Sequence, residues 1–115
     1  MRVKKVPAAF LLVAIAAMPF AARADDPFAI SLTLKDHAFE PAEIKAPANK
    51  PIEITLKNED DSFEEFDSNS LRTEKIVTGH QTITIKLKPL AAGRYPFQGE
   101  YHAKTAQGML VIEQE

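Results

Sequence analysis

Three stretches of this chain alternate apolar and polar residues with a period of two, and that pattern limits the fold more than any other feature. Ile30, Leu32 and Leu34 alternate with Ser31, Thr33 and Lys35; Ile52, Ile54 and Leu56 with Glu53, Thr55 and Lys57; Ile83, Ile85 and Leu87 with Thr82, Thr84 and Lys86. Successive side chains of a strand point to opposite faces, so each stretch reads as a strand with one face in a core and one in water. Shorter candidates run from Glu43 to Ala46, Glu74 to Thr78, Arg94 to Gln98 and Met109 to Glu113, which brings the count to about seven. Pro41, Pro47, Pro51, Gly79, Pro89 and Gly93 fall between these runs, where turns and strand starts tolerate their backbone preferences. Seven short strands at this spacing predict an all-β fold, a Greek-key β-sandwich. The segment from Asn58 to Leu71 resists a strand reading and, at 14 residues, is long for a hairpin loop. It is expected to be a loop that carries function.

The sequence has 115 residues, enough for one small core. Its first 24 residues read differently from the rest. Basic Arg2, Lys4 and Lys5 precede an apolar run from Val6 to Ala22, and Ala22-Arg23-Ala24 stands just before Asp25. This is the pattern of a secretory signal peptide with an Ala-x-Ala-like cleavage site, which predicts removal of residues 1–24, a working domain of residues 25–115 and a periplasmic location. Arg2, Lys4, Lys5 and Arg23 leave with the leader, so 10 of the 14 cationic residues remain against 16 acidic ones, a net charge of −6. An acidic surface is repelled by phosphate backbones, which argues against a nucleic-acid partner. After cleavage no apolar stretch reaches the roughly 20 residues that a helix needs to span a bilayer. With no cysteine in the chain, disulfides, thiolate metal ligands and cysteine nucleophiles are all excluded.

The chemistry concentrates in two places. Between Asn58 and Asp67 lie six carboxylates, Glu59, Asp60, Asp61, Glu64, Glu65 and Asp67, with Phe63 and Phe66 among them. Most charge runs are solvated faces, and that is the expectation for Glu59, Asp60, Asp61 and Asp67. Glu64 and Glu65 differ, because the two phenylalanines are expected to anchor the segment in the core. A carboxylate held beside apolar surface needs a cation. Neighbours on extended backbone alternate faces, so only one of the two glutamates points inward, and Glu64 is the better candidate. The second place is the run Gly93-Arg-Tyr-Pro-Phe-Gln-Gly-Glu-Tyr-His102, where a strand opens into a loop bearing Glu100 and His102. Glu64 or Glu65 from one loop, with Glu100 and His102 from another, would supply carboxylate oxygens and an imidazole nitrogen, a set suited to Fe, Mn, Cu(II) or Zn if loop geometry brings them together. His37, at a turn, and His80, after Gly79, are expected to be exposed, and Met109, Tyr95 and Tyr101 to serve packing. No Gly-x-Ser-x-Gly, phosphate-binding loop or His-Glu-x-x-His pattern is present, so no catalytic residues are assigned.

The stretch from Tyr95 to Val111 resembles the cupredoxins, whose penultimate strand reads Tyr-x-Phe-x-Cys-x-x-His before an axial Met and a final apolar strand. Tyr95, Phe97, His102 and Gly108 stand at matching places, Glu64 and Phe66 match an earlier His-x-Phe, and Phe39-Glu-Pro-Ala-Glu-Ile-Lys-Ala-Pro47 is similar to the second strand of these domains. By this alignment Gly99 stands at the Cys position, Glu64 at the first His position and Ala106 near the axial Met, leaving only His102 of four ligands. A blue-copper centre needs a Cys thiolate with two His, so this chain cannot form one. Glu64-Glu65-Phe66 together with Phe97-x-Gly-Glu-x-His102 most resembles the EfeO-type cupredoxin-like domains, small exported proteins of bacterial iron-permease systems. That resemblance implies a metal ion, iron or copper, as cofactor or cargo, and an inner-membrane iron permease or another periplasmic component as partner. A metal-free interaction module that docks through the acidic loop and a small ferroxidase subunit are the alternatives. Oxidising Fe(II) needs an electron acceptor, for which a bound copper is the obvious candidate; the reading leans toward a carrier rather than an enzyme.

Overall fold

The computed structural model describes residues 26–114. The proposed leader lies outside the described residues. Nine strands and one 3-10 turn follow in chain order: β1 Phe28–Lys35, β2 Ala38–Glu40, β3 Glu43–Pro47, β4 Ile52–Asn58, β5 Glu64–Ser68, β6 Thr73–Val77, β7 Thr82–Leu87, β8 Gly93–Gly99, the turn Glu100–His102, and β9 Gln107–Glu113. They form a four-stranded sheet in the order β2-β1-β4-β7 and a five-stranded sheet in the order β3-β9-β8-β5-β6. The fold class is the expected all-β sandwich. Among the described residues no helix is long and apolar enough to cross a membrane.

The alternating stretches lie where their pattern places them. β1 pairs in parallel with β4, Ile30 opposite Ile54 and Leu32 opposite Leu56, and β4 pairs antiparallel with β7, Ile54 opposite Ile85. Leu32, Leu34, Ile52, Ile54, Leu56, Ile85 and Leu87 are buried from this sheet, and Ile44, Ala46, Phe66, Val77, Phe97, Leu110 and Ile112 from the other. Phe66 and Phe97 stack at 4.9 Å between ring centroids, and Phe39 meets both edge-on. Burying these aliphatic and aromatic side chains stabilises the fold by about 1.5–3 kcal/mol each before the entropy of ordering the chain is counted.

Three expectations are corrected. The sheets hold nine strands rather than seven, and the segment from Asn58 to Leu71 is not a long loop, because it contains β5. In β5 the pattern is carried partly by polar residues: Glu64, Phe66 and Ser68 face inward, Glu65 and Asp67 outward. The inward polar groups are satisfied internally. Ser68 Oγ donates to the Pro96 carbonyl at 2.7 Å and accepts from the Leu71 amide, so a strand with little apolar character still buries one face. Phe63, expected as a core anchor, is 55% exposed and packs edge-on against exposed Tyr101 instead. Phe66 is the anchor.

Candidate functional site

Three connections meet at one rim of the sandwich: the β1–β2 turn, the β4–β5 loop and the segment between β8 and β9. Asp36 and His37 form a two-residue hairpin turn, both at positive φ (52° and 57°), a conformation that Asp, Asn and His tolerate better than most residues. Asp60 holds that turn in place, its Oδ1 accepting from the Asp36 amide at 2.7 Å and its Oδ2 from the His37 amide at 3.0 Å. The loop that carries Asp60 is itself fixed by buried Asn58, whose side chain donates to the carbonyls of Ser62 and Thr78 and accepts from the Asp60 amide. Asp60 is therefore a structural acid rather than the solvated one expected.

Glu64 is 1% exposed and its carboxylate is fully used. Oε1 accepts from the amides of Tyr101 (2.8 Å) and Glu65 (3.0 Å), and Oε2 pairs with His102 Nδ1 at 2.6 Å. The inward choice of Glu64 over Glu65 is what the structure shows. The Glu64–His102 pairing fixes which nitrogen of His102 is committed, leaving Nε2 as the atom that points away from the buried acid. His37 stacks on the His102 ring, with centroids 3.7 Å apart and planes within 12°, and its Nδ1 lies 3.5 Å from Asp60 Oδ2. His37 is thus half-buried and part of this cluster, not the exposed histidine expected. His80 is exposed as expected, with Nε2 2.6 Å from Asp61 Oδ1.

Glu65 and Glu100 do not join Glu64 and His102. Glu65 lies on the outer face of β5, where Glu65, Asp67 and Glu100 each bring a carboxylate oxygen within 4.8 Å of the others. Among the described residues no lysine, arginine or histidine pairs with any of the three. The Glu65 carboxyl is pushed up to about 7, first by hydrogen bonding with the Glu100 side chain, then by desolvation and the negative charges of Glu100, Glu74 and Asp67. The Tyr101 hydroxyl is raised as well, by desolvation and by the charges of Glu65 and Glu100. The four candidate ligands therefore divide into a buried pair, Glu64 and His102, and an outer carboxylate cluster that holds Glu65 and Glu100. Asp67 was missed because i, i+2 spacing from Glu65 signals a shared face only once the segment is known to be a strand.

A family model for the cupredoxin-like domain matches residues 8–112. The chain belongs to the cupredoxin-like domain family. It is also 40% identical over 88 residues to an uncharacterized protein of Rickettsia prowazekii (strain Madrid E), covering 76% of this chain and 70% of that one. Among solved structures the fold resembles auracyanin A, a blue copper protein of Chloroflexus aurantiacus, with a TM-score of 0.65 and 18% identity, covering 76% of this chain and 100% of that one. It also resembles the metal-binding domain of the Cu(I)-exporting P-type ATPase CopA of Streptococcus pneumoniae, with a TM-score of 0.66 and 20% identity, covering 74% and 84%.

A blue-copper centre does not fit this member of the cupredoxin-like family. There is no thiolate, and the space beside Gly99 is taken by an acid: a Cβ built on Gly99 would stand 2.8 Å from Glu64 Cδ and 2.7 Å from Ala106 Cβ. The residues at the three altered ligand positions fill one another's space.

Proposed function

We propose that this cupredoxin-like domain is a periplasmic metal-binding protein that holds iron, with copper as the second candidate, on its way to an inner-membrane permease. The observation that carries this reading is the approach of Glu65, Asp67 and Glu100, three acids with no cationic side chain among the described residues to offset them. Carboxylate oxygens suit hard cations, and a cation among them removes the repulsion that raises the Glu65 carboxyl. The family supports a metal role, since one structural relative is described as a blue copper protein and another as a metal-binding domain with Cu(I). The tie to iron and to a permease rests on the likeness to EfeO-type domains, and the periplasmic location on the leader-like residues 1–24. The proposed role is binding, with a small ferroxidase subunit kept as the alternative.

Titration with Fe(II) under anaerobic conditions, and with Mn(II), Cu(II) and Zn(II), tests this. Glu65→Gln and Glu100→Gln are expected to weaken Fe(II) and Mn(II) binding by about tenfold or more, whereas Asp61→Asn, whose exposed carboxylate pairs with His80, leaves it unchanged. One observation favours a second reading: exposed Phe63, Tyr101 and Ile76 lie beside the acidic cluster, as a docking face would require. Absence of binding by all four ions would replace the carrier with that metal-free interaction module.

A further inference from the structure

We infer that the groove between the end of β7 and the β5–β6 turn is a second binding site, one that takes a medium-chain carboxylate. It lies at the opposite end of the sandwich from the Glu64–His102 rim: β5 begins at that rim and ends before this turn, and β8 starts just beyond the groove and reaches the rim at Gly99. β6 and β7 are edge strands of the two sheets and meet along one side of the sandwich, so the groove opens where no further strand closes the core. Leu71, Leu87 and Leu90 line it together with Arg72, Lys86 and Lys88, around a cavity of about 390 Å³. That volume falls within the roughly 300–1,000 Å³ of small-molecule sites.

The residues of the groove specify its ligand. Leu87 is buried, and Leu71 and Leu90 are half-buried against the core, so the apolar lining is recessed and accepts an apolar body brought to it rather than inserting into a bilayer. The three cations are exposed, and among the described residues no ion pair joins any of them to a carboxylate. Glu53 stands opposite Lys86 in the β4–β7 ladder and Glu74 follows Arg72 by two residues, yet neither acid pairs with its neighbour. Elsewhere Lys45, Lys57 and Arg94 each have an acid at 3.6 Å. In a chain of net charge −2, three unpaired cations around an apolar cavity complement one anionic head on an apolar body. A carboxylate also matches the planar fork of arginine. The walls are set before a ligand arrives. The Arg72 amide donates to the Asn69 carbonyl at 3.1 Å, Thr73 Oγ1 to the Leu71 carbonyl at 3.0 Å, and the Leu90 carbonyl accepts from the Asn49 amide at 2.9 Å. Arg72 has a φ of 51°, which Gly or Asn adopts at lower cost, and a long cationic side chain kept there is local strain of the kind that functional positions carry.

Decanoate below its micelle concentration is the probe, titrated by calorimetry into the wild-type protein, into Arg72→Asn and into Lys86→Gln combined with Lys88→Gln. These side chains are exposed and Asn tolerates the positive φ at position 72, so the variants are expected to keep the fold by circular dichroism. Each variant is expected to bind decanoate more weakly by about tenfold or more, the loss that goes with removing a charge-assisted hydrogen bond. In the wild-type protein, nuclear magnetic resonance is expected to show amide shifts on binding at Leu71, Leu87 and Leu90. Decanol and inorganic phosphate each carry half of the recognised chemistry and are expected to bind about tenfold more weakly than decanoate or worse. Glu65→Gln with Glu100→Gln is expected to leave decanoate binding unchanged, since this site does not rest on the metal reading. Decanoate affinity indifferent to both cation variants, phosphate bound as tightly as decanoate, or binding to phosphatidylglycerol vesicles with none to free decanoate would overturn the inference.

Discussion

The carboxyl carbon of Glu64 lies so close to the α-carbon of Gly99 that a Cβ added at position 99 would come within 2.8 Å of it. An acid has taken the volume that a side chain on β8 would need. Position 99 therefore accepts no side chain while Glu64 is in place.

Gly99→Ala is accordingly expected to destabilise the protein by about 1–3 kcal/mol, the usual cost of overpacking a filled interior. Urea unfolding measures it. Ala106 Cβ is equally close, so shortening Glu64 to Asp in the same chain is expected to recover part of that loss and not all of it.

Glu64→Gln is expected to lower the stability of the metal-free protein by about 1–3 kcal/mol. An acid packed between Phe63 and Phe66 with no partner would gain by neutralisation, but Glu64 is not such an acid. It accepts two amide hydrogen bonds and pairs with His102, and an amide can accept only at its one oxygen. Replacing it with Leu, which leaves those donors buried without partners, is expected to cost more. Thermal melts of the three proteins give the order wild type, Gln, Leu.

The raised Glu65 carboxyl fixes the sign of one pH effect. Its folded value of about 7 exceeds the ordinary 4.5, so the folded state holds this proton more tightly than the unfolded chain does. The resulting stabilisation is complete below about 4.5 and is lost as pH rises through 7. The urea midpoint of metal-free protein is expected to fall between pH 5 and pH 8, and Glu100→Gln, which removes the leading cause, to flatten that fall. Mn(II) competes with the same proton, so its affinity is expected to rise over the same interval.

Cu(II) added to the protein is expected to give only a weak visible spectrum. The intense band of blue copper proteins comes from a thiolate ligand, and this chain has no cysteine. Optical titration checks it, and a strong band would contradict any all-nitrogen and oxygen donor set.

Where apolar residues carry the pattern, the fold was legible from sequence: Ile30, Leu32, Leu34, Ile52, Ile54, Leu56, Ile83, Ile85 and Leu87 all lie in strands. β5 was not, because its inward positions include Glu64 and Ser68, whose burial depends on partners from distant segments. The site was legible to the same extent. Alternation was enough to turn Glu64 inward, but its pairing with His102 depends on how the two loops meet, which no local pattern sets. The grouping of Asp67 with Glu65 required β5 to be a strand. The stacking of His37 on His102 required the positive-φ turn at Asp36 and His37 to be pinned by Asp60, 24 residues from Asp36, and no local pattern announces a contact of that kind.

The segment that carries His102 is closed by its own backbone. The Gly99 amide donates to the Ala106 carbonyl at 2.8 Å, and the amides of Ala106 and Thr105 donate to the His102 carbonyl at 2.8 and 3.1 Å. This loop has its shape before any ion is present. On the proposed carrier reading, loading and unloading are then a matter of shedding and regaining water at the ion, with no ordering of this segment required in either direction.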